Sequence, residues 1–233
     1  MLSSRILPST TLLAIKESSI ISSSIIQKRS IIIKSKFKYI EPKNISFSEQ
    51  LLKRIWRHGY KNPSKSAIIN AFNPEERLSF HDLYLRSLSI ATFLHQKCNF
   101  KHGNCVATVL PNLIDFPAIV LGTGLIGGFT TPASSQLTSK ELEIQFKDSK
   151  TSIIFCADFT LENVLEAAKN CPKIKKIICL KSGLLPDGSP EVILPRNVIS
   201  YETIKKLLPE LPANKVEIDP ERDIFLLPYS RLV

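Results

Sequence analysis

From residue 106 to residue 180, short runs of consecutive apolar residues recur, each closed by turn residues and each followed by a stretch of helical period. The first run, VATVL at 106–110, is apolar apart from Thr108 and stops at Pro111-Asn112. A strand buried on both sides reads this way. The stretches 129–131, 153–156 and 174–180 are further strands of the same series. Between them the pattern predicts helices over 114–126, 138–149 and 161–169, with Pro117 in a first turn where its missing N–H costs nothing. Parallel strands need crossovers of a dozen or more residues, and helices of about 10–15 residues between strands supply them. The expected class is therefore α/β, with a mainly parallel sheet flanked by helices.

The flanking stretches extend this reading. Ser46 followed by Glu49 marks a helix start, with Leu51, Leu52, Ile55 and Trp56 on one face and Gly59 as its stop. SAIINAF at 66–72 reads as a strand, and Asn73-Pro74 as a turn. Ser79 with Asp82 caps a longer helix whose apolar residues Leu83, Tyr84, Leu88, Ala91 and Leu94 recur at spacing three and four. Thr138 with Glu141 is a second capping box. Residues 181–197 hold three prolines and two glycines and read as a surface excursion. A short helix at 201–208 and an apolar strand at 224–229 complete the series.

The charge of +10 is unevenly distributed. Residues 1–40 carry seven bases (Arg5, Lys16, Lys28, Arg29, Lys34, Lys36, Lys38) against Glu17, a balance of +6 that leaves +4 for the rest. Ser- and Ile-rich, basic and almost free of acid, residues 1–30 read as a transit peptide or disordered tail. A mitochondrial destination is the expectation, with peroxisomal and cytoplasmic placement as alternatives. The closing Arg-Leu-Val is not a peroxisomal tripeptide of S-K-L type. No run approaches the roughly 18 apolar residues of a membrane span. Lys173, Lys175 and Lys176, the densest later basic cluster, read as a solvated strand edge, and no nucleic-acid partner is expected.

Candidate chemistry is thin. Five cysteines (Cys98, Cys105, Cys156, Cys171, Cys179) show no C-x-x-C, and Cys156 and Cys179 read as small core residues. Cys98, His102 and Cys105 lack the fourth partner and paired spacing of a zinc site. Gly122, Gly124 and Gly127 match the dinucleotide fingerprint as a string, but the strand that should precede them ends twelve residues early. The reading here is a helix whose small residues let its backbone pack closely on the sheet. His58, His81, His95 and His102 have no nucleophile context. Glu75-Glu76 and Glu141/Glu143 read as solvated or capping carboxylates.

Longer strings carry a resemblance. SFHDLYLRSLSIATFL, HGNCVATVLPNLIDFPAIVLGTGLIGG, FTTPASSQLTSKELEIQFKDSKTSIIF and RDIFLLPYS occur in this order between residues 79 and 230. In order and spacing they resemble the N-terminal region of adenylate-forming acid–thiol ligases, the family of 4-coumarate–CoA ligases, fatty acyl-CoA synthetases and beetle luciferases. The most specific pieces are VLPN at 109–112 with Asp115-Phe116, Pro132 to Leu142, and Leu227-Pro228-Tyr229-Ser230. Gly103-Asn104 stands where the family has Gly-Asp. The resemblance covers 31–230, implying part of the ligase large domain there, with 231–233 a divergent tail.

In the family a Ser/Thr/Gly-rich phosphate loop ending Pro-Lys-Gly follows the Tyr-Ser, whereas here Ser230 leads into Arg231, Leu232 and Val233. The resemblance implies a two-step reaction, acyl-adenylate then acyl-CoA, with ATP, Mg²⁺ and CoA used by full-length members. It transfers no catalytic, cofactor-binding or metal residue to any position here. The expectation is a truncated ligase, inactive and marginally stable alone, with the residues that line the family's acyl pocket mostly past Val233. A non-catalytic module pairing with a full-length relative is the alternative, and a dinucleotide-binding oxidoreductase a remoter one.

Overall fold

The computed structural model describes residues 45–185, 192–210 and 216–230, together with Lys36. The expected leader at 1–30 and tail at 231–233 lie outside these residues.

Helix α1 (Phe47–Lys61) begins where expected, with Ser46 Oγ accepting the Glu49 N–H at 3.0 Å. Its other end is not where the sequence places it. Gly59 lies inside the helix, where a Cβ would stand 2.8 Å from the His81 nitrogen, so this glycine permits a close approach to the next helix. Asn62 is the C-cap. Trp56, expected on the buried face, is 48% exposed. Leu52, Ile55 and Gly59 already fill that face at spacing three and four, and Trp56 falls one helical step past it.

Strands β1 (Ser66–Ile69) and β2 (Arg77–Ser79) form a separate antiparallel pair. β1 is shorter than the expected 66–72, because the Asn70 side chain accepts the Phe72 N–H at 2.9 Å and turns the chain. β2 has no counterpart in the sequence reading. Helix α2 (Phe80–Cys98) starts at the Ser79 cap and ends at Asn99, which takes a left-handed conformation at φ 47°.

The main sheet contains β3 (Cys105–Val109), β4 (Phe129–Ala133), β5 (Thr151–Ala157), β6 (Lys176–Leu180) and β7 (Val198–Ser200). Their spatial order is β4-β3-β5-β6-β7, all parallel. Helices α3 (Phe116–Leu125), α4 (Ser139–Asp148), α5 (Leu161–Ala168) and α6 (Tyr201–Lys205) connect or follow the strands. The expected α/β class and parallel sheet are what is found. All five residues of β3 and all seven of β5 are buried, as a strand covered on both sides requires.

Alternate side chains feed two cores. Ile153, Phe155 and Ile178 pack with α1, α2, α3 and α6 on one face. Ile154, Cys156, Ile177 and Cys179 pack with α4 and α5 on the other. Thr138 and Glu141 close both halves of the α4 capping box. The expected final strand is reduced to one parallel bridge, Thr130 to Leu226, with Thr130 N–H donating to Phe225 O at 3.2 Å and Leu227 N–H to Thr130 O at 2.9 Å. The segment thus runs along the open edge of β4 in the same direction as the sheet.

Candidate functional site at the carboxyl edge of the sheet

The strand order fixes where a ligand crevice can lie. From β3 the chain moves outward to β4, then returns across β3 to begin β5 on its other side. Connections diverge at the carboxyl ends of β3 and β5, and open α/β sheets bind ligands at such a switch point.

Three elements meet there around Asp115, the residue before α3. Arg86 of α2 donates from Nη1 to Asp115 Oδ1 at 2.5 Å, and Tyr201 of α6 donates its hydroxyl to the same oxygen at 3.0 Å. Asp115 is 8% and Tyr201 2% exposed. Burial, then the Asp115 carboxylate, push the Tyr201 phenol far above its ordinary range. Asp158, after β5, is held by Ser182, whose Oγ donates to Oδ1 at 2.6 Å and whose N–H donates to Oδ2 at 3.1 Å. Thr160 Oγ1 donates to the end carbonyls of both strands, Val109 O at 3.2 Å and Ala157 O at 2.9 Å. Both carboxylates therefore have partners, which is the chemistry of a scaffold rather than of a general base.

The same edge receives the chain's closing segment. Thr131 Oγ1 donates to Leu227 O at 2.9 Å, and the Tyr229 hydroxyl donates to Asp148 at the end of α4. Burial first, then that carboxylate, push Tyr229 up to about 12. Tyr229 and Ser230 border an open, mainly apolar hollow of about 230 Å³ with Pro132, Leu137 and Ile144.

An AMP- or ATP-binding site would need donors aimed at phosphate oxygens. Among the described residues the buried side-chain polar atoms without partners are Ser48 Oγ in α1 and Thr130 Oγ1 in β4, and neither belongs to the carboxyl edge. No chemical step is assigned to the described residues.

The other candidates are dispersed. Cys98 closes α2 in the first core, and Cys105 begins β3 with its thiol 3.7 Å from Thr151 Oγ1. Burial pushes both thiols up to about 11. His102 pairs instead with Asp223 at 2.8 Å. Among the described residues no group of three His, Cys, Asp or Glu could hold a metal ion. Gly122 and Gly124 lie in α3, and Gly127 follows at φ 75°. Contrary to the sequence reading, the two helical glycines do not face the sheet: a Cβ on Gly122 would meet Ser87 and Ile90 of α2, and one on Gly124 would meet Ser48 of α1 and Phe225 of the closing segment, while one on Gly127 would meet His102 and Val216. His81 and Asp82 open α2, with Asp82 bonded to the Ser79 cap. Glu76 accepts from Asn70 at 2.6 Å, and Glu143 is held below the usual carboxylate range by Lys147, then Asn170. Sequence reasoning missed Arg86, Asp115 and Tyr201 as a group, because they lie 29 and 86 residues apart and no local pattern links them.

Comparison with known proteins supplies what the side chains do not. The chain is 30% identical over 182 residues to acyl-CoA synthetase 7 of Caenorhabditis elegans, covering 78% of this chain and 32% of that protein. It is 28% identical over 205 residues to a 4-coumarate–CoA ligase of Vanilla planifolia, covering 88% and 34%. A long-chain-fatty-acid–CoA ligase of Salmonella typhimurium is 35% identical over 141 residues, covering 59% and 24%. The chain thus spans about a third or less of the length of these relatives. The family described as AMP-binding enzyme matches residues 55–230, from the middle of α1 through the whole sheet to Ser230. With three quarters of its length matched, and with the strand order and closing segment in place, the chain belongs to the AMP-binding enzyme family.

Proposed function

We propose that these residues are the first part of the large domain of an ATP-dependent carboxylic acid–CoA ligase, forming an acyl-adenylate and then an acyl-CoA. The collinear family match through Ser230 carries the reading. The geometry agrees, because the segment that ends in Tyr229-Ser230 runs parallel to β4 and delivers the chain to the carboxyl edge. On this reading ATP, Mg²⁺, CoA and the carboxylic acid are bound only with further polypeptide. The 233 residues alone contribute the sheet and the Arg86–Asp115–Tyr201 anchor, in which Asp115 and Tyr201 are buried. A purified 233-residue polypeptide is expected to give no carboxylate-dependent exchange between ATP and pyrophosphate above a no-enzyme control. Measurable exchange would overturn the inactivity of the isolated part.

A second reading, a module that pairs with a full-length relative, is favoured by one observation. Ile224, Leu226 and Tyr229 on the edge segment are 50%, 42% and 40% exposed, and a strand with one open side templates pairing. The expected result is co-purification with a full-length ligase at native abundance, and its absence would remove this reading.

The basic, acid-poor leader supports a mitochondrial destination. The endogenous polypeptide in fractionated mitochondria is then expected to be shorter at its N-terminus by roughly 30 residues, the length of a removable transit peptide. An unprocessed species in the cytosolic fraction would count against it.

A further inference from the structure

We propose that the outward face of α1 is a docking surface for an anionic lipid bilayer. The helix buries Ser48, Leu52, Ile55 and Gly59 and turns its opposite side to solvent. That side carries Lys53, Arg54, Arg57 and Lys61, all exposed. Glu49 is the one acid of the helix and bonds Lys53 at 2.7 Å. Four bases minus one acid leave +3 on fifteen residues with His58 neutral. Arg54, Arg57 and Lys61 have no carboxylate within ion-pair range among the described residues.

Two aromatic side chains stand among these bases. Trp56 is 48% and Tyr60 76% exposed, and their rings stack with centroids 5.3 Å apart and planes 21° from parallel. Residues 53, 56, 57, 60 and 61 recur at spacing three and four, so they form one stripe. A lone exposed apolar residue needs no explanation. A stacked Trp–Tyr pair within a cationic stripe has the composition of a membrane-surface helix, with amphipathic rings at headgroup depth and bases on lipid phosphates. A single-stranded nucleic acid would also favour charge and aromatics, but its bases need free ring faces, and here each ring covers one face of the other. The proposed contact uses the surface of α1, and no helix among the described residues is long and apolar enough to cross a membrane. The face keeps its charge whether or not residues 1–30 are removed, and the proposal does not rest on the ligase reading.

Trp56 is the chain's single tryptophan, so its fluorescence reports this face directly. The full chain would be titrated with vesicles of phosphatidylcholine alone and of phosphatidylcholine with roughly a third phosphatidylserine. The expected result is a blue shift of Trp56 emission and co-sedimentation with the anionic vesicles, weaker by about tenfold or more with neutral ones and reversed by salt. Arg54→Glu with Arg57→Glu should weaken binding by about tenfold or more while leaving the far-UV circular dichroism unchanged. Lys173→Glu with Lys175→Glu, a basic cluster elsewhere on the surface, should leave binding intact. Absence of binding, binding without an emission change, equal loss in both variants, or a larger emission change with a single-stranded oligonucleotide would each overturn the proposal.

Discussion

Asp115→Ala is expected to lower the unfolding free energy by about 3 kcal/mol, the lower end of what breaking a buried ion pair costs. Asp115 is 8% exposed, and its Oδ1 accepts from both Arg86 and Tyr201. Alanine would strand a guanidinium whose side chain is 26% exposed, so water recovers part of the loss and the upper end is not reached. It would also leave the Tyr201 hydroxyl buried without an acceptor, at a cost of about 1–3 kcal/mol if no water enters. Asp115→Asn keeps an acceptor oxygen and should lose less than alanine. Asp115→Leu combined with Arg86→Met removes both charges and should recover the part of the deficit that comes from the stranded guanidinium, while the unpaired Tyr201 hydroxyl keeps its cost. Urea unfolding followed by far-UV circular dichroism measures all three, with an unchanged m-value showing that only stability moved. An alanine variant within about 0.5 kcal/mol of the parent would mean that Asp115 is effectively solvated.

That anchor also marks where sequence reading stops. Strands β3 and β5, the α4 capping box and Pro117 in the first turn of α3 were legible because each is written in a few adjacent residues. Class and sheet direction followed from their alternation. Trp56 and Gly59 were misplaced because a helical period identifies a face but not how wide it is, and Gly59 answers to His81 rather than to its own helix. Strands β2 and β7 have three residues each, too few to show a period. The edge segment at 224–230 reads as a strand by composition, yet it pairs through one bridge because partner choice is non-local. The candidate site was not legible, since the resemblance transferred no site residue and Arg86, Asp115 and Tyr201 are far apart in the chain. The strings around Pro111, Asp115 and Pro228 carry family membership, while the described side chains at the carboxyl edge are occupied in holding the scaffold together.

Gly122→Ala tests the packing that brings α3 onto α2. On an exposed helix this exchange would stabilise by about 1 kcal/mol, because alanine is the better helix former. Here the sign is expected to reverse, with a net loss of about 2 kcal/mol, since overpacking typically costs about 1–3 kcal/mol and can exceed that against backbone. The added Cβ would sit 2.5 Å from the Ser87 carbonyl oxygen and 2.9 Å from Ile90 Cβ. Neither can yield cheaply. Ser87 is fully buried with its Oγ bonded to Leu83 O at 2.7 Å, and Ile90 is fully buried in the first core. Relief requires α3 to slide on α2, and α3 carries Asp115 at its start, so the Arg86–Asp115 contact would lengthen as well. The two variants should therefore couple: Gly122→Ala combined with Asp115→Ala should cost less than the sum of the single losses. Gly103→Ala is the control. Gly103 has φ 74° and nothing within 4 Å of the added Cβ, so its cost is backbone strain alone, about 1–2 kcal/mol, and should add to the Asp115→Ala loss without coupling. Equal coupling for both glycines would mean that α3 is not held by its contact with α2.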